Sequence, residues 1–85
     1  MKSFVKLFKA LSDESRQKIL LLLDKGSMTV GEIAKKAKLS QPNTSGHLTL
    51  LKNAGLVTSS KVGNSVIYSI DKKWLKICCG DFLCK

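Results

Sequence analysis

The chain has 85 residues and a formal net charge of +9, from 15 Lys plus Arg against 6 Asp plus Glu. This length predicts a single domain over residues 1–85, and the apolar run Ile19–Leu23 falls well short of the roughly 18 residues that span a bilayer. Because the N-terminus lacks the pattern of a signal peptide, we expect a cytoplasmic protein. The positive charge favours a polyanionic partner, nucleic acid first and an anionic membrane surface second.

The N-terminal part of the chain predicts two helices. Four apolar residues at i, i+3, i+4 and i+7 indicate a short amphipathic helix: Phe4, Leu7, Phe8 and Leu11. Ser12 is the predicted cap of a second helix, which runs through Ile19–Leu23 and ends near Gly26. Its apolar residues occupy nearly all sides, so this helix is expected to be buried.

The next segment has the pattern of a helix-turn-helix. Thr29 and Glu32 fit a capping box, which begins a third helix that runs through Ala37. Ser40 then caps a fourth helix that reaches about Ala54. Two helices joined by a break of three residues are typical of this motif.

The pattern changes to strands after the fourth helix. Residues 56–61 and 65–70 are rich in strand-forming residues, with a turn at 62–64 between them. A hairpin after a helix-turn-helix is a wing, and a last short helix is expected over 72–79. The predicted fold is mainly α with a two-stranded β-hairpin, a winged helix-turn-helix of order α-α-α-α-β-β-α.

The start of the fourth helix is the predicted DNA-reading surface. Asn and Gln side chains can pair with adenine in the major groove, and exposed Gly46 lets the backbone approach closely. Arginine readout of guanine is nearly unavailable, because Arg16 is the only arginine and belongs to the second helix. The predicted DNA contacts are Ser40, Gln41, Asn43, Thr44, Ser45, Gly46 and His47 in the helix, with Lys61 and Asn64 in the wing.

Three of these positions have alternative interpretations. Thr44 shares a helix face with Leu48 and Leu51 that is expected to pack on the domain. His47, the only histidine, suits a phosphate contact or a structural hydrogen bond equally, and a metal role is disfavoured. A plain hairpin turn explains Asn64 as well as a DNA contact does, and the polar helix face itself could be an ordinary solvated surface.

Taken in order, these segments resemble the ArsR/SmtB family of winged helix regulators over about residues 4–70. The matching segments are 10–16, 19–20, 30–34, 39–41, 45–48, 51–57 and 63–68. The resemblance implies a homodimer built from residues 1–11 and 71–85, and a roughly palindromic operator bound by a repressor. It also implies an effector, often a metal or metalloid, that weakens DNA binding.

The chain departs from some relatives at their metal sites. Metalloid-sensing members often carry a Cys-x-Cys pair at the start of the third helix, where Met28–Glu32 has no thiol. The last helix is short and lacks the His, Asp and Glu set that forms the zinc site of other members.

Three cysteines lie in the last eight residues: Cys78, Cys79 and Cys84. Three thiolates favour a soft, thiophilic ion, and the family resemblance favours arsenite, with cadmium or lead as alternatives. The thiols could instead form a redox switch or pack as small hydrophobic side chains. A disulfide framework is not expected in the cytosol, and no cofactor is required.

The resulting hypothesis is a homodimeric repressor released from DNA by an ion at these cysteines. The alternatives are a redox-responsive or effector-free regulator, a winged helix module for protein contacts, and a lysine-rich protein at a membrane surface. An enzyme is not expected, because one His and six scattered acids form no visible nucleophile–base pair or paired-carboxylate site.

Overall fold

The computed structural model describes residues 2–71, with side chains from residue 5 onward. Four helices precede a small antiparallel sheet whose strand order is β1-β3-β2. The elements are α1 (Lys2–Leu11), α2 (Glu14–Lys25), β1 (Met28–Thr29), α3 (Val30–Ala37), α4 (Gln41–Asn53), β2 (Val57–Val62) and β3 (Ser65–Ile70). Within this part of the chain, no helix has the length and apolar character needed to cross a membrane.

The core lies where all four helices meet the base of the hairpin. Its fully buried large side chains are aliphatic, apart from one threonine that the helices enclose. They are Ile19, Leu23, Ile33, Thr44, Leu48, Leu51 and Leu56. The predicted four helices and hairpin are confirmed, and the predicted last helix over 72–79 lies outside the described residues, as does almost all of segment 71–85.

The sheet has one more strand than the sequence predicts. β1 pairs antiparallel with β3, with Met28 opposite Tyr68 and Thr29 opposite Ile67. Two residues are too few to show a strand periodicity, so pairing with a distant part of the chain defines this strand. The wing is therefore bonded at its base to the residues that lead into α3.

The cap of α2 is Asp13 rather than the predicted Ser12. The Asp13 carboxylate accepts hydrogen bonds from the backbone N–H of Ser15 at 2.8 Å and of Arg16 at 3.2 Å. The hydroxyl of Ser12 instead donates to the carbonyl oxygen of Lys9 at 2.7 Å, which closes the end of α1. A carboxylate is as good an N-cap as a serine and also complements the helix dipole.

The prediction that α2 is buried on nearly all sides is wrong. Ile19, Leu20 and Leu23 are buried, whereas Leu21 is 68% exposed. Successive helical residues are about 100° apart, so consecutive leucines cannot all face a core on one side. The helix consequently presents an apolar residue to solvent.

The turn between α3 and α4 is as short as predicted. The Thr29–Glu32 capping box begins α3, and Lys38 follows the helix in the left-handed conformation with φ of 60°. The N–H of Leu39 donates to the carbonyl oxygen of Ala34 at 3.0 Å, as in a Schellman motif. This tight termination fixes the angle at which α4 leaves α3.

Glycines determine where α4 and β2 end. Gly55 has φ of 82°, and the N–H of Leu56 donates to the Leu51 carbonyl oxygen at 3.0 Å, which forms a second Schellman motif. Gly63, with φ of 62°, occupies the first position of the two-residue turn between Val62 and Ser65. A positive φ at that position alone is typical of a type II′ hairpin turn.

Candidate nucleic-acid interface

The N-terminal half of α4 presents a polar surface. The hydroxyl of Ser40 accepts a hydrogen bond from the backbone N–H of Asn43 at 3.2 Å and so caps the helix, as predicted. Gln41, Asn43, Ser45 and Ser40 itself are exposed. These exposed side chains can donate and accept hydrogen bonds at the N-terminal end of α4.

Thr44 does not belong to that exposed surface. Its side chain is fully buried, and its hydroxyl donates to the carbonyl oxygen of Ser40 at 2.9 Å. The structure therefore corrects the prediction that Thr44 contacts DNA through its side chain. The hydroxyl supports the first turn of α4 from the core side, in line with the face that Thr44 shares with Leu48 and Leu51.

A cleft separates α4 from the wing. Gln41 and Ser45 of α4 line one wall, and Asn64 and Ser65 of the wing line the other. At the base, a Cβ atom added to Gly31 would lie 3.8 Å from Nε2 of Gln41, so the Gln41 side chain extends over the start of α3. The fold thus brings residues from three elements to one polar cleft.

The two predicted wing contacts lie in different places. Asn64 lines the cleft, whereas Lys61 is exposed on β2 opposite Val66, one residue before the strand ends. An exposed ammonium group on β2 and an amide in the cleft suit contacts to a phosphate backbone.

His47 forms the structural hydrogen bond that was one of its two predicted roles. Its Nδ1 atom lies 3.3 Å from Nη1 of Arg16. Since a guanidinium only donates, Nδ1 is the acceptor in this contact. The other ring nitrogen, Nε2, is not used by Arg16.

Arg16 is a positioning residue that the sequence did not reveal. Its Nε donates to the Ala10 carbonyl oxygen at 2.9 Å and its Nη2 to that of Lys9 at 3.1 Å. One side chain thereby joins the end of α1, the start of α2 and the middle of α4. The only available signal was that a lysine-rich chain contains a single arginine.

Two acidic groups of the domain are held at helix N-termini. Hydrogen bonding from the backbone N–H of Arg16 is the main cause that lowers the pKa of Asp13. The backbone N–H of Thr29 has the same effect on the pKa of Glu32. Both carboxylates are thus kept ionised and bonded within the protein, where they cap α2 and α3.

The predicted metal ligands Cys78, Cys79 and Cys84 lie outside the described residues. Within residues 2–71, no group of three or more His, Cys, Asp and Glu side chains could hold a metal ion. The part of the chain that the structure describes therefore supplies the polar cleft and the α4 surface as its candidate site.

The family model for the arsR family of bacterial regulatory proteins matches residues 13–59. The transcriptional repressor SdpR of Bacillus subtilis is 43% identical over 65 residues, which are 76% of this chain and 72% of SdpR. A homologue of the cadmium resistance transcriptional regulatory protein CadC, from Staphylococcus aureus, is 42% identical over 72 residues, 84% of this chain and 60% of that protein. The chain thus spans less than two thirds of the CadC homologue.

Among solved structures, a domain of Mb0332 from Mycobacterium bovis superposes with a TM-score of 0.82 at 26% identity. The match covers 96% of this chain and 82% of the other. That protein is described as a homodimeric winged helix-turn-helix DNA-binding domain and a possible ArsR-family regulator. The winged helix-turn-helix fold predicted from the sequence is confirmed.

Proposed function

Because this chain belongs to the ArsR family of bacterial transcriptional regulators, we propose that it is a homodimeric repressor that binds a roughly palindromic operator. The observation that carries the proposal is the exposed polar start of α4 beside the wing cleft, in a chain of net charge +9. Members of this family bind DNA and are not enzymes, so the functional site proposed for this chain is a DNA-binding surface.

In this proposal each α4 enters a major groove. Gln41 and Asn43 read base edges, since their amides can pair with adenine, while Lys61 and Asn64 contact the backbone. The two half-sites are about 34–36 Å apart or a multiple of that distance.

The proposed homodimer uses α1. Val5 and Phe8 are 70% and 62% exposed on this helix, and burying such side chains against a second copy would be favourable. The Mb0332 domain is described as homodimeric, which supports a homodimer for this chain.

The experiment is fluorescence anisotropy with a duplex from the region upstream of the gene for this protein. A scrambled duplex of the same composition is the control, and both are measured at low and at physiological salt. We expect tight binding to the upstream duplex and weaker binding to the scrambled one. No binding to either duplex at low salt would refute a DNA-binding function and favour a protein-interaction module.

We further propose that a thiophilic ion, arsenite foremost, binds Cys78, Cys79 and Cys84 and releases the protein from DNA. The proposal is supported by the preference of soft ions for thiolates and by the cadmium resistance role named for one relative. Release requires that the ion bind the DNA-free geometry of the dimer more tightly than the DNA-bound one.

This second proposal is tested by titrating the DNA complex with arsenite, cadmium and zinc under reducing conditions, and then with peroxide. We expect arsenite to release wild-type protein, and Cys78→Ser to bind DNA normally but to resist release. Release by peroxide alone would favour a redox switch, and normal release of Cys78→Ser would exclude that thiol from the sensor.

A further inference from the structure

A second cleft lies on the other side of α4, between its C-terminal half and α1. Its volume is about 220 Å³, and none of the residues that line it is acidic: Lys6, Lys9, Leu50, Asn53 and Ala54. We propose that this α1–α4 cleft binds the phosphate backbone of the DNA strand opposite the one beside the wing. The inference rests on the proposed DNA-binding function and adds contacts that the sequence did not predict.

The position of the cleft around α4 is the first argument. Gln41 lines the wing cleft and Leu50 lines the α1–α4 cleft. These residues are nine positions apart, which at about 100° per residue places them on opposite flanks of the helix. The outward surface between the flanks includes Gly46 and Thr49, which are exposed.

The dimensions of DNA provide the second argument. An α-helix with its side chains is about 10–12 Å across and the major groove is about 12 Å wide, so a helix in the groove has a phosphate strand near each flank. A helix that enters with its N-terminus crosses one strand again where its C-terminal half leaves the groove. Asn53 and the α1 lysines lie beside that half of α4.

The chemistry of the lining is the third argument. Two ammonium groups and one amide can bind phosphate oxygens, while the apolar surface of Leu50 and Ala54 suits the sugar of a backbone. Lys6 and Lys9 are three positions apart on α1, so their side chains lie on the same side of that helix.

The backbone beneath these lysines is held in place. The carbonyl oxygen of Lys9 accepts hydrogen bonds from the hydroxyl of Ser12 at 2.7 Å and from Nη2 of Arg16 at 3.1 Å. Since Arg16 also bonds His47 of α4, the end of α1 is fixed relative to the helix that would lie in the groove. The cleft is therefore preorganised for a backbone at a set distance from α4.

The test compares two double variants that remove the same charge. Lys6→Gln/Lys9→Gln changes the cleft, and Lys18→Gln/Lys25→Gln changes two exposed lysines of α2. Affinity for the upstream duplex and for a random duplex of equal length is measured between 50 and 300 mM salt. We expect the cleft variant to lower the slope of log K against log salt by about 1.8, at about 0.9 per lost phosphate contact. Both duplexes should be affected alike, and the α2 variant should keep the wild-type slope.

Three results would overturn the inference. An unchanged slope for the cleft variant would show that the two lysines bind no phosphate. An equal loss in the α2 variant would show that they act only through net charge. A loss accompanied by dissociation of the dimer in sedimentation velocity would show that the cleft belongs to the contact between copies. Failure of wild-type protein to bind either duplex refutes the proposed function itself and is recognised separately from these results.

Discussion

The guanidinium of Arg16 and the imidazole of His47 form a direct link between α2 and α4, with Nη1 and Nδ1 3.3 Å apart. The same guanidinium bonds two carbonyl oxygens at the end of α1. The orientation of α4 is therefore set by a polar contact as well as by its buried face.

Arg16→Ala is expected to destabilise the domain. The carbonyl oxygen of Ala10, a fully buried residue, would lose its donor from Arg16, and an unsatisfied buried polar group costs about 1–3 kcal/mol. Arg16→Lys should recover little of this loss, since one ammonium cannot replace a planar fork of donors. Urea unfolding measures the effect, with exposed Lys18→Ala as the control, expected to change stability by about 0.5 kcal/mol or less. Equal stability of the Arg16→Ala and Lys18→Ala variants would contradict the positioning role.

Acid should destabilise the fold through the cap carboxylates. Hydrogen bonds from the backbone N–H of Arg16 and of Thr29 lower the pKa of Asp13 below 3.8 and of Glu32 below 4.5. The unfolded chain therefore binds these protons first, so the stabilisation is complete above both ordinary values and is lost as the pH falls through and below them. Thermal unfolding between pH 7 and pH 2.5 should show this loss.

Asp13→Asn distinguishes the hydrogen bonding of the N-cap from the effect of its charge. An asparagine caps a helix about as well as an aspartate but does not titrate. The variant should lose less stability than wild-type protein between pH 5 and pH 3. If Asp13→Asn loses as much stability in acid as wild-type protein does, the Asp13 carboxylate does not cause that loss.

Gly46→Ala is expected to stabilise the protein and to weaken DNA binding. Beyond the adjacent residues and the backbone of α4 itself, no atom lies within 4 Å of a Cβ added at Gly46, and alanine is favoured over glycine in a helix by about 0.5–1 kcal/mol. A methyl group on the outward face of α4 would hold the backbone away from the groove. Gly55→Ala is the contrast, because φ of 82° at that position makes alanine unfavourable. Undiminished affinity of Gly46→Ala would show that close approach is not needed.

Gln41→Ala and Asn43→Ala should reduce sequence discrimination. Each well-placed amide–base pair is worth about 1–3 kcal/mol against the wrong base. The affinity for the upstream duplex should fall while that for a scrambled duplex changes little. An equal loss on both duplexes would identify these side chains as backbone contacts.

Lys61→Ala should weaken DNA binding without reducing sequence discrimination. A lysine that binds phosphate contributes about 0.9 to the salt slope and does not distinguish sequences. Anisotropy across a salt series should show weaker binding to both duplexes and a smaller slope, with exposed Lys25→Ala unchanged. If the slope stays at its wild-type value, Lys61 does not touch DNA.

Local chemistry explains which parts of the fold the sequence predicted. The Thr29–Glu32 box and the Ser40 cap act within a few residues, and each lies where its pattern indicated. β1 and Arg16 depend on partners far along the chain, which no local pattern contains.

Most residues of the predicted DNA-reading surface could be identified from the sequence, but they are not all exposed. Gln41, Asn43 and Ser45 are exposed as expected. Thr44 is buried because it lies on the face of α4 that packs against the core. The α1–α4 cleft was missed because Lys6 and Asn53 come together only when the helices pack.

Thr29 belongs to two parts of the molecule at once. It pairs with Ile67 of the wing, and its side chain caps α3. The hairpin and α3, the first helix of the helix-turn-helix, are thus attached to each other through one residue that is bonded on both sides. A rotation of this domain on DNA would therefore carry the wing and α3 as one body.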